Sequence, residues 1–362
     1  MPWIVRLILF VSLMLLSEYY FFRRVFSSIK TLFPDSSFIK FKAVKITLLF
    51  VINFVPTFYL FTWILEFLGG PDINLPDKNR LFDILFYYSF WVAIIIFLQT
   101  VVIILPVDLI RFTFLSFNKK IKSRIDRLTA KFILFVMVIF LIYVPIRIVI
   151  DMTQVSSRTT TYELENLNED LNNLRIGVIS DIQADWYNSE KRIKNYIDEL
   201  NKTKPDLVLI PGDMITRNKE SIPVAAKMVG KIESNYGVYA CVGDHDNWAY
   251  GRNILKSRNE VIKQLAEYGV SMLDNNNSIL QIENSRIGMT FITDTYSERI
   301  KNETLDSLTN NINNVDLKIL ITHQPNGKTR EMASEKDYNL MVAGHTHGGQ
   351  ITLFFPFINL TP

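Results

Sequence analysis

The sequence contains only four histidines, and each of them stands just after an apolar run that predicts a β-strand. Two stand one residue apart between glycines, in the stretch GHTHGGQ at positions 344–350. Imidazole is the commonest transition-metal ligand in proteins, and α/β folds bind their ligands at the carboxyl ends of strands. The placement of His245, His323, His345 and His347 therefore points to metal chemistry at the strand ends.

The residues that could do chemistry fall into five short segments, each at the end of an apolar run. They are SDIQ at 180–183, PGDMI at 211–215, GDHD at 243–246, ITHQP at 321–325 and GHTHGGQ at 344–350. One such segment is weak evidence, because a GD pair after a strand is commonly a turn and an isolated histidine usually satisfies a local hydrogen bond. Five of them in one domain predict that the acidic and imidazole groups converge in space.

The elements that must position these segments begin near Leu174, where short apolar runs start to alternate with amphipathic helical periodicity. Helices are predicted around 193–200, 224–232 and 254–268, and shorter strands at 278–282 and 287–292. Continuous apolar strands separated by helices are typical of a sheet that is covered on its faces. The sequence thus predicts an α/β unit with its polar groups at the strand ends.

In this order, the five segments resemble the calcineurin-like metallophosphoesterase family, whose pattern is D-x-H, G-D, G-N-H-D/E, a lone H and G-H-x-H. The GHTHGGQ ending is most similar to the membrane-anchored bacterial branch of that family. The resemblance covers about 174–350, roughly half of the chain. It implies an αββα sandwich and the hydrolysis of a phosphate ester or pyrophosphate.

The residue types suit this chemistry. Hydrolysis of a phosphate ester at neutral pH needs a hydroxide and neutralisation of the phosphoryl charge, and two divalent metals about 4 Å apart supply both. The resemblance implies that Asp213 bridges the two metals. The other implied ligands are Asp181, Gln183 and His347 at the first metal and Asp244, His323 and His345 at the second. Shells that mix nitrogen with carboxylate favour Mn, Fe, Zn or Co over Mg.

The GDHD segment supplies the residue that the resemblance implies as general acid. His245 would protonate the leaving oxygen, and its neighbour Asp246 would orient the imidazole ring. A positioned acid of this kind typically contributes about 10²–10⁴-fold in rate. Catalysis would therefore depend on this pair as well as on the metals.

Two positions depart from the family pattern. Gln183 stands where the pattern has histidine, and Asp244 stands where it has asparagine. An amide oxygen is a weaker and harder ligand than imidazole, which leaves three interpretations open: Gln183 ligates weakly, Asp185 substitutes for it, or the first metal is loosely held. Asp244 keeps the shape of asparagine and adds a negative charge, which would tighten the second metal site.

Residues 1–150 have a different composition, with four runs that stay apolar for about 20 residues, the length that an α-helix needs to cross a bilayer. The predicted spans are Trp3–Phe22, Ala43–Leu68, Leu81–Leu105 and Phe132–Ile150. The first run lacks a small-residue cleavage site and is followed by Arg23 and Arg24, which favours a retained span over a cleaved signal peptide. We therefore expect a transmembrane region at 1–150, a polar linker at 151–173 and a metallophosphoesterase domain at 174–362.

Charge is distributed unevenly between the halves. Residues 1–150 contain 17 Lys and Arg against 8 Asp and Glu, whereas 151–362 contain 22 against 28. The cations of the first half are concentrated after the first and third predicted spans, so these connections are predicted to be cytoplasmic and both termini to lie outside. The basic loop at 116–131 is typical of such a topology signal, and no nucleic-acid partner is expected.

These features predict a multi-pass protein of the cytoplasmic (inner) membrane with an extracytoplasmic, metal-dependent phosphoesterase domain. Its partner would be a phosphate-ester substrate, and lipid-linked or envelope phosphates are candidates because tethering concentrates substrates at the membrane surface. The competing hypothesis is a sensor domain that binds phosphate or metal without turnover, for which Gln183 is the main support. The family continues beyond GHTHGGQ with further strands, so we expect either a sheet without closing strands or a C-terminally truncated sequence.

Overall fold

The computed structural model describes residues 3–34, 38–70, 80–117, 119–347, 352–353 and 358–359. These residues divide into two compact units, one built mainly from Met1–Gln154 and the other mainly from Val155–Thr352. The first unit is helical, and the second combines helices with two four-stranded sheets.

The first unit consists of long apolar helices. They are α1 at Trp3–Leu32, α2 at Phe38–Phe67, the single turn α3 at Arg80–Phe82, α4 at Ser89–Phe117 and α5 at Lys122–Thr153. A π-helical segment, Asp83–Tyr88, joins α3 to α4 without a break. The helices α2, α4 and α5 are apolar on nearly every side, which suits helices that contact lipid as well as one another.

Three helices in the described part of the chain are long and apolar enough to cross a membrane, at Lys42–Leu65, Asp83–Leu115 and Lys122–Thr153. They coincide with the second, third and fourth predicted spans. The first predicted span, Trp3–Phe22, lies within α1, which is not among the three. Some side chains at the start of α1 lie outside the described residues, so the first predicted span, and with it the count of four, stays a prediction.

The helices of the first unit pack around aliphatic and aromatic side chains. Ile104 of α4 and Ile133 of α5 are fully buried, and the ring centroids of Phe21 and Phe97 are 4.5 Å apart. The opposite side of α5 exposes large apolar side chains such as Phe135 and Ile142. Exposed apolar surface of this kind marks a membrane or protein contact.

The second unit contains eight strands and five helices within the described residues. The strands are β1 at Ile176–Val178, β2 at Leu207–Ile210, β3 at Val238–Cys241, β4 at Val270–Leu273, β5 at Asn276–Ile282, β6 at Ser285–Ile292, β7 at Leu317–Thr322 and β8 at Leu340–Ala343. The helices are α6 at Glu190–Lys202, α7 at Ile222–Val229, α8 at Ile254–Glu267, α9 at Asn302–Asn310 and α10 at Gly327–Glu335. Two short strands, β9 at Thr352–Leu353 and β10 at Ile358–Asn359, pair with each other.

Two sheets form the middle of the second unit. The first has the order β1-β2-β3-β4 and is entirely parallel, and the second has the order β5-β6-β7-β8 with only β5 antiparallel to its neighbour. Residues 348–351, 354–357 and 360–362 lie outside the described residues, so the expectation about closing strands is not tested.

Alternation along each strand divides its side chains between two cores, because successive residues point to opposite faces of a sheet. In β2, Leu207 and Leu209 pack toward the second sheet, whereas Val208 and Ile210 pack against α6, α7 and α8. In the second sheet, Leu320 of β7 packs with side chains of α9 and α10. The layers are therefore helix, sheet, sheet and helix, and the predicted αββα fold is confirmed.

The sequence-based assignment missed β4, α9 and α10, which are short and show little periodicity. It also placed the second helix of the domain two residues late. That helix, α7, begins at Ile222 because Pro223 fits the first helical turn, and it ends before Gly230. Cys241 is fully buried between the sheets, and burial raises the pKa of its thiol well above the ordinary value, which fits an inert thiol.

Phe291 of β6 is fully buried in the core between the sheets, where its ring lies 6.3 Å from that of Tyr239. We expect Phe291→Ala to lower the free energy of unfolding by about 3–5 kcal/mol, because it leaves a cavity between two rigid sheets. Denaturant unfolding followed by tryptophan fluorescence measures this. Ile279→Ala on the neighbouring strand, where the side chain is 46% exposed, is the control with an effect below about 0.5 kcal/mol. Equal losses in both variants would contradict the layered core.

Candidate metal centre

The five chemistry-bearing segments follow the carboxyl ends of β1, β2 and β3 in the first sheet and of β7 and β8 in the second. Backbone hydrogen bonds join neighbouring segments. The N–H of Gln183 donates to the carbonyl of Asp213 at 2.9 Å, and the N–H of Gly344 donates to the carbonyl of His323 at 3.1 Å. The structure thus brings segments from both sheets together at one edge.

One compact group at this edge contains Asp244, His323 and His345, whose potential ligand atoms all lie within 4.8 Å of one another. The Nε2 atom of His323 is 3.4 Å from Oδ2 of Asp244, and Nδ1 of His345 is 3.2 Å from the same oxygen. One carboxylate and two imidazoles that face a common point are a donor set suited to Zn, Mn, Fe or Co.

A second group contains Asp181, Asp213 and His323, again with potential ligand atoms within 4.8 Å of one another. The Nε2 atom of His323 is 3.3 Å from Oδ2 of Asp213, and Nε2 of His347 is 3.5 Å from Oδ1 of Asp181. His323 belongs to both groups, so the two candidate sites adjoin. The resemblance assigned this histidine to the second metal alone.

The imidazole of His323 tests whether a cation fits here. Its Nδ1 lies 2.9 Å from the carbonyl oxygen of Pro211, and because a carbonyl can only accept, Nδ1 carries the hydrogen. The other ring nitrogen, Nε2, is buried and makes no hydrogen bond, although it faces two carboxylates. Between two carboxylates this nitrogen is stable only beside a positive charge, which either a proton on the ring or a cation among the three atoms supplies. The residues therefore fit a metal ion.

The charges of the cluster shift one another's protonation. Burial alone would lower the pKa of His323, but the carboxylates of Asp213 and Asp244 outweigh burial and raise that pKa to about 11. Burial alone would raise the pKa of Asp244, but His323, Gln324 and the backbone N–H of Tyr296 hold it at about 2. The pKa of Asp213 is likewise lowered, against its burial, mainly by His323. Without metal, the site already holds opposite charges together.

The backbone is in the left-handed conformation at five of the seven predicted ligands. These are Asp181 with φ of 54°, Gln183 with 44°, Asp213 with 60°, His345 with 73° and His347 with 50°. Such residues typically cost about 1–3 kcal/mol each and persist only where the surrounding structure imposes them. Their concentration at one edge of the sandwich supports a functional site there.

Two glycines let the segments approach one another. A Cβ added at Gly243 would lie 2.2 Å from Oδ1 of Asp213, and one added at Gly344 would lie 2.2 Å from Oγ of Ser180 and 3.0 Å from Oδ2 of Asp181. No side chain fits at such distances. These glycines therefore belong to the construction of the site rather than to ordinary turns.

The geometry bears on the three interpretations of Gln183. Its Nε2 atom is 3.3 Å from Oδ2 of Asp213 and 3.3 Å from Nε2 of His347, so the amide lies beside the predicted first metal site. Asp185 is occupied elsewhere, because its Oδ1 accepts the N–H of Tyr187 at 2.7 Å and its Oδ2 accepts the hydroxyl of Thr216 at 3.0 Å. The substitution of Asp185 for a ligand is therefore not supported.

His245 lies beside the two candidate metal groups, and neighbouring residues contact its imidazole ring. Its Nε2 is 3.9 Å from Oδ2 of Asp213, and its Nδ1 is hydrogen-bonded to the carbonyl oxygen of Thr216. The indole of Trp248 packs against the imidazole with ring centroids 4.5 Å apart. Thr216 and Trp248 therefore orient this ring.

The expected role of Asp246 in orienting His245 is wrong. Its carboxylate is fully buried and accepts the backbone N–H groups of Gly243, Asp213 and Met214 at 2.8, 3.0 and 2.9 Å. Adjacent residues in the tight turn direct their side chains apart, so His245 faces the cluster and Asp246 faces the loop backbone. Burial and the nearby charge of Asp213 raise the pKa of Asp246 to about 6.

Sequence reasoning missed the partners that hold the predicted ligands. Gln324 donates through Nε2 to Oδ2 of Asp244 at 2.6 Å, and the N–H of Tyr296 donates to Oδ1 of Asp244 at 2.6 Å. Gln324 directly follows His323 in the ITHQP segment, and its position there was a usable indication. The part played by Tyr296 depends on the fold and has no local pattern.

Gly243→Ala is expected to displace Asp213 and to weaken metal binding by on the order of 10–100-fold, the usual effect of disturbing the support of a ligand. Isothermal titration calorimetry of the full chain with Mn or Zn measures this. Gly327→Ala is the matched control, since a Cβ at that glycine meets nothing within 4 Å. Wild-type affinity in Gly243→Ala would show that the close approach of these loops does not matter for the metals.

Comparison with known proteins supports this interpretation. Residues 174–349 match the calcineurin-like phosphoesterase family. An uncharacterized metallophosphoesterase of Campylobacter jejuni is 30% identical over 246 residues, which cover 67% of this chain and 60% of the relative. A transmembrane protein with metallophosphoesterase domain from Danio rerio is 25% identical over 195 residues, which cover 52% of this chain and 43% of the relative.

The chain therefore spans less than two thirds of the length of these curated relatives. The crystal structure of phosphopantetheinyl hydrolase from Mycobacterium tuberculosis aligns with a TM-score of 0.36 and 12% identity over 48% of this chain and 83% of that one, a similarity too low to support an argument. The apolar helices and the transmembrane relatives indicate a membrane protein. Residues 174–349 of this chain are therefore similar to calcineurin-like phosphoesterase domains.

Proposed function

We propose that the protein is a membrane-anchored, metal-dependent phosphoesterase that hydrolyses a phosphate ester or pyrophosphate. The observation that carries the proposal is the buried Nε2 of His323, which faces carboxylates of two adjoining candidate metal groups without a hydrogen bond. In this proposal residues 1–150 anchor the protein, 151–173 act as a linker and 174–362 contain the catalytic domain.

The proposed ligands are those that the sequence suggested, with His323 at the junction of the two sites. Asp213 would be shared by the two metals, Asp181, Gln183 and His347 would hold the first, and Asp244, His323 and His345 would hold the second. When bound, two divalent ions would lower the pKa of a water molecule and neutralise charge on the phosphoryl oxygens. The mixture of nitrogen and carboxylate donors favours Mn, Fe, Zn or Co.

His245 delivers the proton in the proposed reaction. Its Nδ1 is engaged with the carbonyl of Thr216 and carries a hydrogen, so the proton that reaches the leaving oxygen departs from Nε2. That atom faces Asp213, beside the cluster where the phosphate would lie. Asp246 supports the reaction through the loop backbone, because it holds the segments of Asp213 and His245 together.

Hydrolysis of bis(4-nitrophenyl) phosphate and of 4-nitrophenyl phosphate by the full chain, with Mn, Zn or Mg restored after chelation, tests the activity. Turnover is expected with Mn or Zn. Asp213→Asn should abolish it with every metal, whereas His245→Gln should keep metal binding and lower kcat by on the order of 10²–10⁴-fold. Asp306→Asn on the exposed face of α9 is the control and should match the wild type. Turnover that survives in Asp213→Asn would refute the assigned site.

A second function is favoured by one observation. Gln183 lies beside the first candidate site where the family pattern has histidine, and a loosely held metal there would leave a domain that binds phosphate or metal without turnover. Such a binder would show metal-dependent thermal stabilisation but release no product. Activity that appears in Gln183→His and is absent from the wild type would favour this second function.

A lipid-linked or envelope phosphate is the proposed substrate class, because tethering raises the local concentration of membrane-surface substrates. We also propose that the catalytic domain lies on the extracytoplasmic side of the cytoplasmic (inner) membrane. This orientation rests on the cations in the connections after the first and third predicted spans.

Reporter fusions at the C-terminus test this orientation in a bacterial host. An alkaline phosphatase fusion, which is active only outside the cytoplasm, is expected to be active, and a green fluorescent protein fusion is expected to be dark. The same two reporters fused after residue 118 should give the opposite pattern, because the basic loop is predicted to be cytoplasmic. A fluorescent C-terminal fusion would show that the catalytic domain lies in the cytoplasm and would contradict the proposed orientation.

A further inference from the structure

A row of cations runs along one side of α5 where the helix begins. Lys120, Arg124, Arg127 and Lys131 follow one another at intervals of four, three and four residues. Since an α-helix turns by about 100° per residue, the last three lie within about 60° of one another around the helix axis. Together with Ile121, Ser123 and Leu128 these four cations line a surface groove of about 450 Å³. We call this surface the cationic face.

The acidic residue of this segment does not pair with Arg124, Arg127 or Lys131. Asp126 lies on the other side of the helix, where it accepts from Nε of Arg111 in α4 at 2.9 Å and from Nζ of Lys122 at 2.6 Å. Arg124, Arg127 and Lys131 pair with no carboxylate among the described residues. Their positive charge is therefore available to a ligand from outside the helix bundle.

The same side of α5 continues as an exposed apolar ridge. Leu128, Phe135, Val138 and Ile142 are 57%, 63%, 46% and 56% exposed, and they lie within about 80° of one another around the axis. Leu128 lies among the cations, and Phe135 follows about 6 Å beyond Lys131 along the helix, at a rise of about 1.5 Å per residue. Cations and apolar surface thus follow one another on a single continuous face.

We propose that this face of α5 binds an anionic phospholipid, with the headgroup phosphate at the cationic face and an acyl chain along the apolar ridge. Clustered Lys and Arg beside a membrane span attract anionic headgroups, and long cationic side chains reach from the edge of the hydrocarbon layer toward the phosphates. A free phosphate ion or a nucleic acid would use the cations alone. Of these three ligands only the lipid has an acyl chain that would cover the ridge, and this favours the lipid.

Thermal unfolding of the full chain in an uncharged detergent, titrated with dioctanoyl phosphatidylglycerol, tests the proposal. Saturable stabilisation is expected from this lipid but not from dioctanoyl phosphatidylcholine, which carries no net charge. The triple variant Arg124→Gln, Arg127→Gln, Lys131→Gln should bind on the order of 100-fold more weakly, at about fivefold per cation. The variant Arg124→Lys, Arg127→Lys should retain most of the affinity because it keeps the charge.

A charge-matched control removes three exposed lysines of the second unit, in Lys191→Gln, Lys263→Gln, Lys301→Gln, and should behave as the wild type. Equal stabilisation by both lipids, or equal affinity in the Gln triple variant and the wild type, would overturn the proposal. Glycerol phosphate and a short duplex DNA are titrated in the same unfolding assay as alternative ligands. Stabilisation by either one at the concentration at which the lipid acts would show that the site takes a free anion or a nucleic acid instead. None of these outcomes depends on hydrolysis by the second unit.

Discussion

The contact of one imidazole with two buried carboxylates is the interaction on which the second unit depends. His323 follows β7 of one sheet, whereas Asp213 and Asp244 follow β2 and β3 of the other. The apolar core between the sheets brings these strand ends together, and the charged contact fixes how they meet. Because unpaired charges are costly to bury, the fold keeps this cluster only if the charges compensate one another or a cation completes it.

The groups around the cluster show how that contact is kept in place. The carboxylate of Asp246 accepts three backbone N–H groups and so ties the loop after β2 to the loop after β3. Gln324 connects Asp244 to Arg299, since its Nε2 donates to the carboxylate and its Oε1 accepts from the guanidinium at 2.8 Å. Hydrogen bonds of this kind fix the orientation of the ligand side chains, which lets short loops hold several ligand atoms.

Much of this arrangement follows from local sequence. The apolar runs that end at Asp181, Asp213, His323 and His345 indicated which strand ends meet, because a buried parallel sheet collects its carboxyl ends at one edge. The sequence did not indicate β4, whose four residues carry too little pattern. It also gave the wrong partner for His245, because neighbours in sequence need not be neighbours in hydrogen bonding, and the carbonyl of Thr216 arrives from 29 residues away. Tyr296 and Thr216 act through their backbone atoms, which leave no trace in residue type.

The left-handed residues at the candidate ligands connect the site to the folding of the whole sandwich. Each of these conformations is unfavourable by itself, so an isolated loop would relax to another shape and scatter its donors. In the folded domain these loops are held in that shape by backbone hydrogen bonds between neighbouring segments. Ligand geometry therefore reports on complete assembly of the domain, because a partly folded chain retains every ligand residue and lacks the coordinating shape.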